Sequence, residues 1–508
     1  MPPLVTATAS RWDFSTLFLF LNFLCNHFNM DFTVSPATIE VETKKEPFHP
    51  PYLFQIRSGK TRLEVSDAFF LVIQGIFILL FGLFTKYPVA ADIISLKNDA
   101  AIMNDYSAYR DIAVMVFFGI GFLMAYLKRG GFSSAAGTYM LVAFALQWSI
   151  LVNGFFANAL AQSKSRYFVL DIRALVNGLF NVVPIMLSFG VVLGKTSLYE
   201  MTMATLFEVV FVGINNYIGY GRGTFLGVVD LGGTIFLHMF GAYFGFAFAW
   251  VLRSQHRPTQ QESRLSERPL AQSNVQSDLM VMMATFFLFI YWPTFNGAFG
   301  MLANDGDVMA QVRAVLNTIM AQIAGTFATF VFSRLFRRTR MHERTKFHMA
   351  DIQNASLAAG VAIGATCDQI VSPAGAMAVG VFASLLSVLG FVFVQPWLER
   401  RFNLHDSCGV GNLHLIPGTF GGFVSVIVTA CAPMYEKEYG VPIARWYPNG
   451  KRQYAYQLAG MAVTIGIAVI GGALTAFVTK FLRRYLNPIT DKALLFSDET
   501  EFHVPKDD

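Results

Sequence analysis

Apolar residues run along this chain in blocks, without the three- or two-residue alternation of a water-soluble fold. Twelve blocks approach or exceed the ~20 residues a bilayer-spanning helix needs. They lie at 67–86, 111–127, 134–158, 169–194, 197–218, 227–252, 277–301, 309–333, 351–371, 373–396, 407–432 and 454–482. An all-α polytopic membrane protein of about twelve transmembrane helices follows, because in lipid a helix satisfies its own backbone. Basic residues collect between blocks: Lys128 and Arg129; Arg253, Arg257, Arg264 and Arg268; Arg334, Arg337, Arg338, Arg340 and Arg344; Arg400 and Arg401; Arg483 and Arg484. All fall on one face if both termini are cytoplasmic, as the positive-inside rule requires. The loop 433–453 carries Lys437, Arg445, Lys451 and Arg452 on the other face, accompanied by Glu436 and Glu438.

Three segments are expected: an N-terminal segment over 1–65, a membrane domain over 66–484 and a cytoplasmic tail over 485–508. The run Phe14–Phe28 is too short to span a bilayer and no clean small-residue cleavage site of a signal peptide follows it. An upstream start is an equal reading, with Met30 opening a polar cytoplasmic tail.

Composition agrees with the pattern. Hydrophobic residues make up 54% and charged residues 14% of the 508, and mean hydropathy is +0.47, which excludes a soluble chain of ordinary usage. Cys25, Cys367, Cys408 and Cys431 lie far apart with no CxxC spacing, so neither a disulfide framework nor a zinc site is expected. The net charge of +5 comes from residues at block ends, where they set topology. A nucleic-acid partner is not implied; membrane lipid is. No cofactor is expected.

One stretch is nearly repeated. DLGGTIFLH at Asp230–His238 returns as DSCGVGNLH at Asp406–His414, with Asp eight residues before His, Gly three after the Asp, and Leu just before the His. The copies occupy the sixth and eleventh blocks, an odd number apart, so they enter the membrane from opposite faces. That is a five-plus-five inverted repeat, blocks two to six against seven to eleven, and in such folds the substrate site lies at the repeat interface near the midplane. A single buried His is commonly a packing residue hydrogen-bonded across helices. Two at equivalent places favour a paired site. Asp230 and Asp406, near the starts of their helices, read first as caps for orphan backbone N–H groups and second as ligands. Glycines such as Gly232, Gly233, Gly241, Gly360, Gly364, Gly418, Gly421 and Gly422 read as packing positions.

Neutral imidazole offers one donor and one acceptor and protonates near neutrality. Two sharing a hydrogen bond in a narrow apolar conduit form a proton-relaying polar chain. A full cation at that depth is heavily penalised, whereas a weak base that sheds its proton before the dry section avoids the penalty. Ammonium fits this description; sodium and potassium do not.

The stretches DLGGTIFLHMFGAYFGF at 230–246, YWPTFN at 291–296, DIQNASLAAGVAIG at 351–364, SCGVGNLHLIPG at 407–418 and FHVP at 502–505 resemble Rh-type (Rhesus glycoprotein) members of the ammonium transporter/Rh family. The likeness extends over roughly 66–506. It implies a plasma-membrane homotrimer with one conduction path per protomer, carrying ammonia or ammonium and, in some members, carbon dioxide. His238 and His414 resemble the family's pore twin histidines, and Phe180 and Phe295 its external aromatic gate. Asn296, Asp230 and Asp406 resemble pore-supporting residues; Asp278 and Glu399 resemble acids of the internal vestibule.

Departures accompany the likeness. Gly411 stands where many relatives have Asn or His, Asn216 where some animal members carry Glu, and His348 where an inner Asp is expected. A short insertion, Gly219–Gly223, follows Asn216, and no Trp lies between Val212 and Asp230. Weaker external cation recruitment is expected. Two other functions compete with transport. One is an ammonium sensor or membrane scaffold with little flux, against which both histidines count. The other is a membrane enzyme, for which two His alone are too few to hold catalytic zinc, which takes three ligands; Cys408, six residues before His414, offers a third, but nothing pairs with it near His238.

Overall fold

A computed structural model describes residues 56–58, 61–88, 105–163, 165–253, 264–302, 308–341, 346–440 and 446–504. The run Phe14–Phe28 lies outside them. Two compact units divide within the first long helix, residues up to Ile76 forming one and Phe77–Asp508 the other. In the first unit, β1 (Ile56–Ser58) and β2 (Thr61–Leu63) pair antiparallel, Ile56 opposite Leu63, ahead of the start of α1 (Val65–Phe84).

The second unit is helical, apart from the parallel pair of β3 (Thr85–Lys86) with β4 (Phe168–Val169). Its spans are α2 (Tyr106–Leu123), α3 (Gly131–Leu160), α4 (Ile172–Val192), α5 (Leu198–Gly219) and α6 (Thr234–Leu252). There follow α7 (Val275–Leu302), α8 (Val308–Met341), a broken span made of α9a (Met349–Ala355) and α9b (Ala358–Ile363), and α10 (Pro373–Phe402). The last two are α11, a turn Gly411–Leu415 continued by Ile416–Ala430, and α12 (Gln453–Leu482). Among the described residues eleven helices, α1 included, are long and apolar enough to cross a membrane; the broken ninth completes the predicted twelve.

The ninth span differs from the continuous block predicted at 351–371. Polar residues Gln353, Asn354 and Ser356 fall inside a buried segment, and the helix opens between them and α9b. Backbone carbonyls at the break are paired by neighbouring helices: that of Ala355 accepts from Ser384 Oγ at 2.9 Å and that of Gln353 from Thr285 Oγ1 at 3.3 Å. Broken helices are tolerated at membrane depth where protein, not lipid, surrounds them.

Of the unbroken spans α4 and α6 are the most enclosed, with 89% and 72% of their apolar windows buried, so they form the inner wall rather than the lipid-facing belt. Small residues bring such helices into backbone contact. A Cβ on Gly421 of α11 would stand 2.3 Å from the Ala362 carbonyl oxygen of α9b. The tail after α12 docks on the face bearing Lys128 and Arg129. Phe496 N donates to the Gly194 carbonyl at 2.9 Å and Asp498 N to that of Arg129 at 2.7 Å. The Asp498 carboxylate accepts from Phe132 N and Ser133 N at the start of α3, and Glu501 from Leu198 N at the start of α5, each meeting orphan donors of a helix N-terminus.

Candidate functional site

The two Asp-to-His stretches adopt matching local structure. Gly233 and Gly409, each three residues after its Asp, both have φ of +71°, a left-handed conformation that favours glycine. Their repetition is therefore conformational, not the packing role the sequence suggests. After this turn the chain winds as a π-helix, Thr234–Met239 in α6 and Gly411–Leu415 in α11. His238 N bonds five residues back to the Gly233 carbonyl at 3.0 Å. Single π turns are frequent at functional sites, and each of these two holds a histidine.

The aspartates organise these turns. Asp230 Oδ2 accepts from Ile235 N and Phe236 N at 2.8 and 2.9 Å; Asp406 accepts from Val410 N and Gly411 N at 3.1 and 2.7 Å. A side chain at Gly411 would meet Phe246 at 2.8 Å and the Asp406 carboxylate at 3.3 Å, so glycine there fits the turn as well as removing a polar group. Thr234 Oγ1 donates to the Val361 carbonyl at 2.6 Å and Gly232 N to that of Gly364 at 2.9 Å. The start of α6 is thereby pinned to the broken span.

The histidines meet. His238 Nδ1 and His414 Nδ1 are 3.2 Å apart, with ring centroids 5.1 Å apart and planes inclined by 22°. Both residues are buried, and among the described residues His238 Nε2 has no hydrogen-bond partner. They border a cavity of about 30 Å³, room for two or three water-sized molecules when one occupies about 10–15 Å³. Its wall is largely apolar, with Met115, Ile120, Met186, Leu187, Leu288, Val410 and Leu413, joined by Trp292, Asn354 and Cys408. Phe180 and Phe295 pack with centroids 4.6 Å apart, and Phe295 is 6.0 Å from the His238 ring. The aromatic pair thus sits against the histidine pair without bordering the cavity itself.

The remaining predicted residues lie at varied distances from this centre. Asn296, fully buried, donates to Thr318 Oγ1 and the Gly360 carbonyl at 3.0 and 3.2 Å, tying α7 to α8 and α9b. Asp278 lies in the first turn of α7, where its charge complements the helix dipole. Glu399, near the end of α10, accepts from Ser266 N and Oγ at 3.0 and 2.5 Å and so holds the α6–α7 loop. Asn216 donates to Asn181 Oδ1 at 3.1 Å, and Asn181 to Asn153 Oδ1 at 2.5 Å, an amide ladder beside Phe180. His348 is exposed at the start of α9a.

Two groups went unnoticed in the sequence. Trp292 sits within YWPTFN, yet its indole stands 5.7 Å from His238; the motif was a signal, its second residue unread. Lys195, between α4 and α5, donates to the carbonyls of Val191 and His405 at 2.8 and 2.6 Å, a few residues from Asp406 and Cys408. Burial lowers its ammonium to about 8, Asp406 opposing the shift. Nothing in sequence spacing brings Lys195 to residue 405.

A sequence profile of the Ammonium Transporter Family matches residues 69–487. This chain belongs to the ammonium transporter family. It is 35% identical over 458 residues to Ammonium transporter Rh type C of Bos taurus, covering 86% of this chain and 93% of that protein. It is 37% identical over 454 residues to Ammonium transporter Rh type B-A of Xenopus laevis, covering 86% and 92%. Among solved structures it is similar to Rh50 of Nitrosomonas europaea, with TM-score 0.65, 29% identity and coverage of 81% and 94%. Mep2 of Saccharomyces cerevisiae shares the fold at TM-score 0.61 and 19% identity, covering 83% and 99%. The chain is thus an Rh-type member of a family of ammonium channels and transporters, not an enzyme.

Proposed function

We propose that this protein conducts ammonia derived from ammonium, with His238 and His414 as the polar relay of an apolar passage and Phe180 and Phe295 as its gate. The observation carrying this reading is the Nδ1–Nδ1 contact of two buried imidazoles from oppositely entering helices, at the edge of a water-sized apolar cavity. Ammonium is all donor and charged, so the dry wall opposes it. Ammonia is neutral, close to water in size, and carries one lone pair and three N–H bonds. It can accept from one imidazole and donate to the other.

Asp230, Asp406 and Asn296 support the passage by fixing the two π turns and the α7–α9b junction. Asp278 and Glu399 serve the internal vestibule through their negative charge. The protein works as a homotrimer in the plasma membrane, with both termini cytoplasmic. The one-sided distribution of basic loops supports the cytoplasmic placement of the termini.

The test is ammonia flux into reconstituted vesicles, followed by a trapped pH indicator alongside electrical recording. Flux above lipid control, lost when both histidines become Ala in well-expressed protein, is the expected result. Vesicles with protein but no added flux would favour the sensor reading. A current scaling with ammonium would exclude purely neutral passage.

A further inference from the structure

One intramembrane acid has no part in the passage described so far. Glu208 stands in the middle of the 22-residue helix α5, ~15 Å along its axis from the start at 1.5 Å per residue. It is fully buried, and no charged group acts on it among the described residues. Its Oε1 lies 2.6 Å from Ser188 Oγ, and its Oε2 has no partner. An isolated carboxylate in such a place is strongly disfavoured, and an ionisable residue inside a span is a functional candidate by default.

Counting hydrogens favours the protonated form. Ser188 Oγ is also 3.1 Å from the Gly241 carbonyl. A hydroxyl has a single hydrogen and cannot donate to an ionised Glu208 and to Gly241 together. If the acid keeps its proton, the chain closes: Glu208 O–H donates to Ser188 Oγ, and Ser188 O–H donates to the Gly241 carbonyl.

The place of this chain gives it a purpose. Ser188 lies on α4, eight residues beyond Phe180; Gly241 lies on α6, three beyond His238. The two helices are in backbone contact here. A Cβ on Gly241 would be 2.6 Å from Pro184 Cα, and one on Gly245 2.8 Å from Ser188 Cα. Ser188 supplies the polar link across this seam, and Glu208 closes it from behind.

We propose that Glu208 is a permanently protonated positioning residue, whose acid hydrogen holds Ser188 against the Gly241 carbonyl and so sets the spacing between the helix of the aromatic gate and the helix of the first pore histidine. This rests on the reading of those helices as walls of the conduction path.

The experiment compares wild type with Glu208→Gln, Glu208→Leu and Ser188→Ala in reconstituted vesicles, reading ammonia flux, and takes the infrared difference between wild type and Glu208→Gln. Gln can donate to Ser188 and keeps flux within about twofold of wild type. Leu and the Ser188 variant lose at least about tenfold, in scale with the ~100-fold that a 1 Å misplacement causes. The infrared difference contains a carboxylic-acid carbonyl band from mildly acidic to mildly alkaline buffer. A carboxylate signature in that range, or Glu208→Gln losing flux as the Leu variant does, overturns the proposal. If Leu prevents folding, the Gln variant and the infrared band still decide. Wild type without flux would sink the transport reading, while the infrared result still decides the protonation of Glu208.

Discussion

The Nδ1 atoms of His238 and His414 face each other at 3.2 Å, so one of the two rings carries the hydrogen between them and the neutral rings hold opposite tautomers. One Nε2 is then a bare acceptor and the other an N–H donor, which gives a symmetric fold a chemically directional passage. Ammonia can donate to the first and accept from the second with the shared hydrogen left in place.

Residues that work as one hydrogen-bonded unit give non-additive losses. His238→Ala or His414→Ala alone is expected to lower ammonia flux by at least about tenfold, and the double variant little further. Vesicle flux for the three variants, at matched protein per lipid, checks this. Losses that multiply would mean the rings act separately.

Phe180 and Phe295 pack with ring centroids 4.6 Å apart and planes inclined by 51°, and both are buried. Phe295→Ala is expected to raise passage of methylammonium relative to ammonia several-fold. It should also reduce thermal stability, since Phe-to-Ala changes in cores cost about 3–5 kcal/mol. A competition uptake assay reads the first effect and a thermal-shift measurement the second. An unchanged ratio would remove Phe295 from the gate.

Gly409 combines φ of +71° with a virtual Cβ only 2.7 Å from Phe391. Gly409→Ala should lose ~1–2 kcal/mol from the left-handed backbone alone and more from the clash. Gly466 of α12 has nothing within 4 Å, so Gly466→Ala should stay within about 0.5 kcal/mol of wild type. Melting curves in detergent compare the two, and equal shifts would remove the special status of the turn.

The docked tail is expected to respond to pH through Glu501. Burial pushes its carboxyl up to about 7 from 4.5, against the Leu198 N–H that favours the charged form. Between those values the docked tail holds more protons than the free one, so docking weakens as pH rises through the window and is weakest above it. Amide exchange over 495–504 should quicken accordingly, and Glu501→Gln should flatten the response. A tail equally protected across that range would show that Glu501 does not sense pH.

Span number, the inverted repeat and the meeting of the two histidines were legible because each depends on long apolar blocks or on a repeated motif. The capping role of Asp230 and Asp406 was also legible, since Asp at a helix start has few other uses. The π turns were not: a six-residue change of winding leaves no period that sequence can resolve. Nor was the break at Ser356–Leu357, because polar residues in an apolar block read equally as packing glue. Lys195 beside His405 and the tail on α3 and α5 join residues hundreds of positions apart, which spacing along one chain does not encode.

His238 and His414 both ride on a locally widened coil, so their direction is fixed by winding as much as by residue type. Each residue of an ordinary α-helix advances the side chain by ~100°. A chain of identical composition around Gly233 and Gly409, but regular there, would point its imidazoles elsewhere and leave the conduit without a polar centre. Loss or gain of a single position between Asp230 and His238 would thus act like removal of the ring, though the ring were still there.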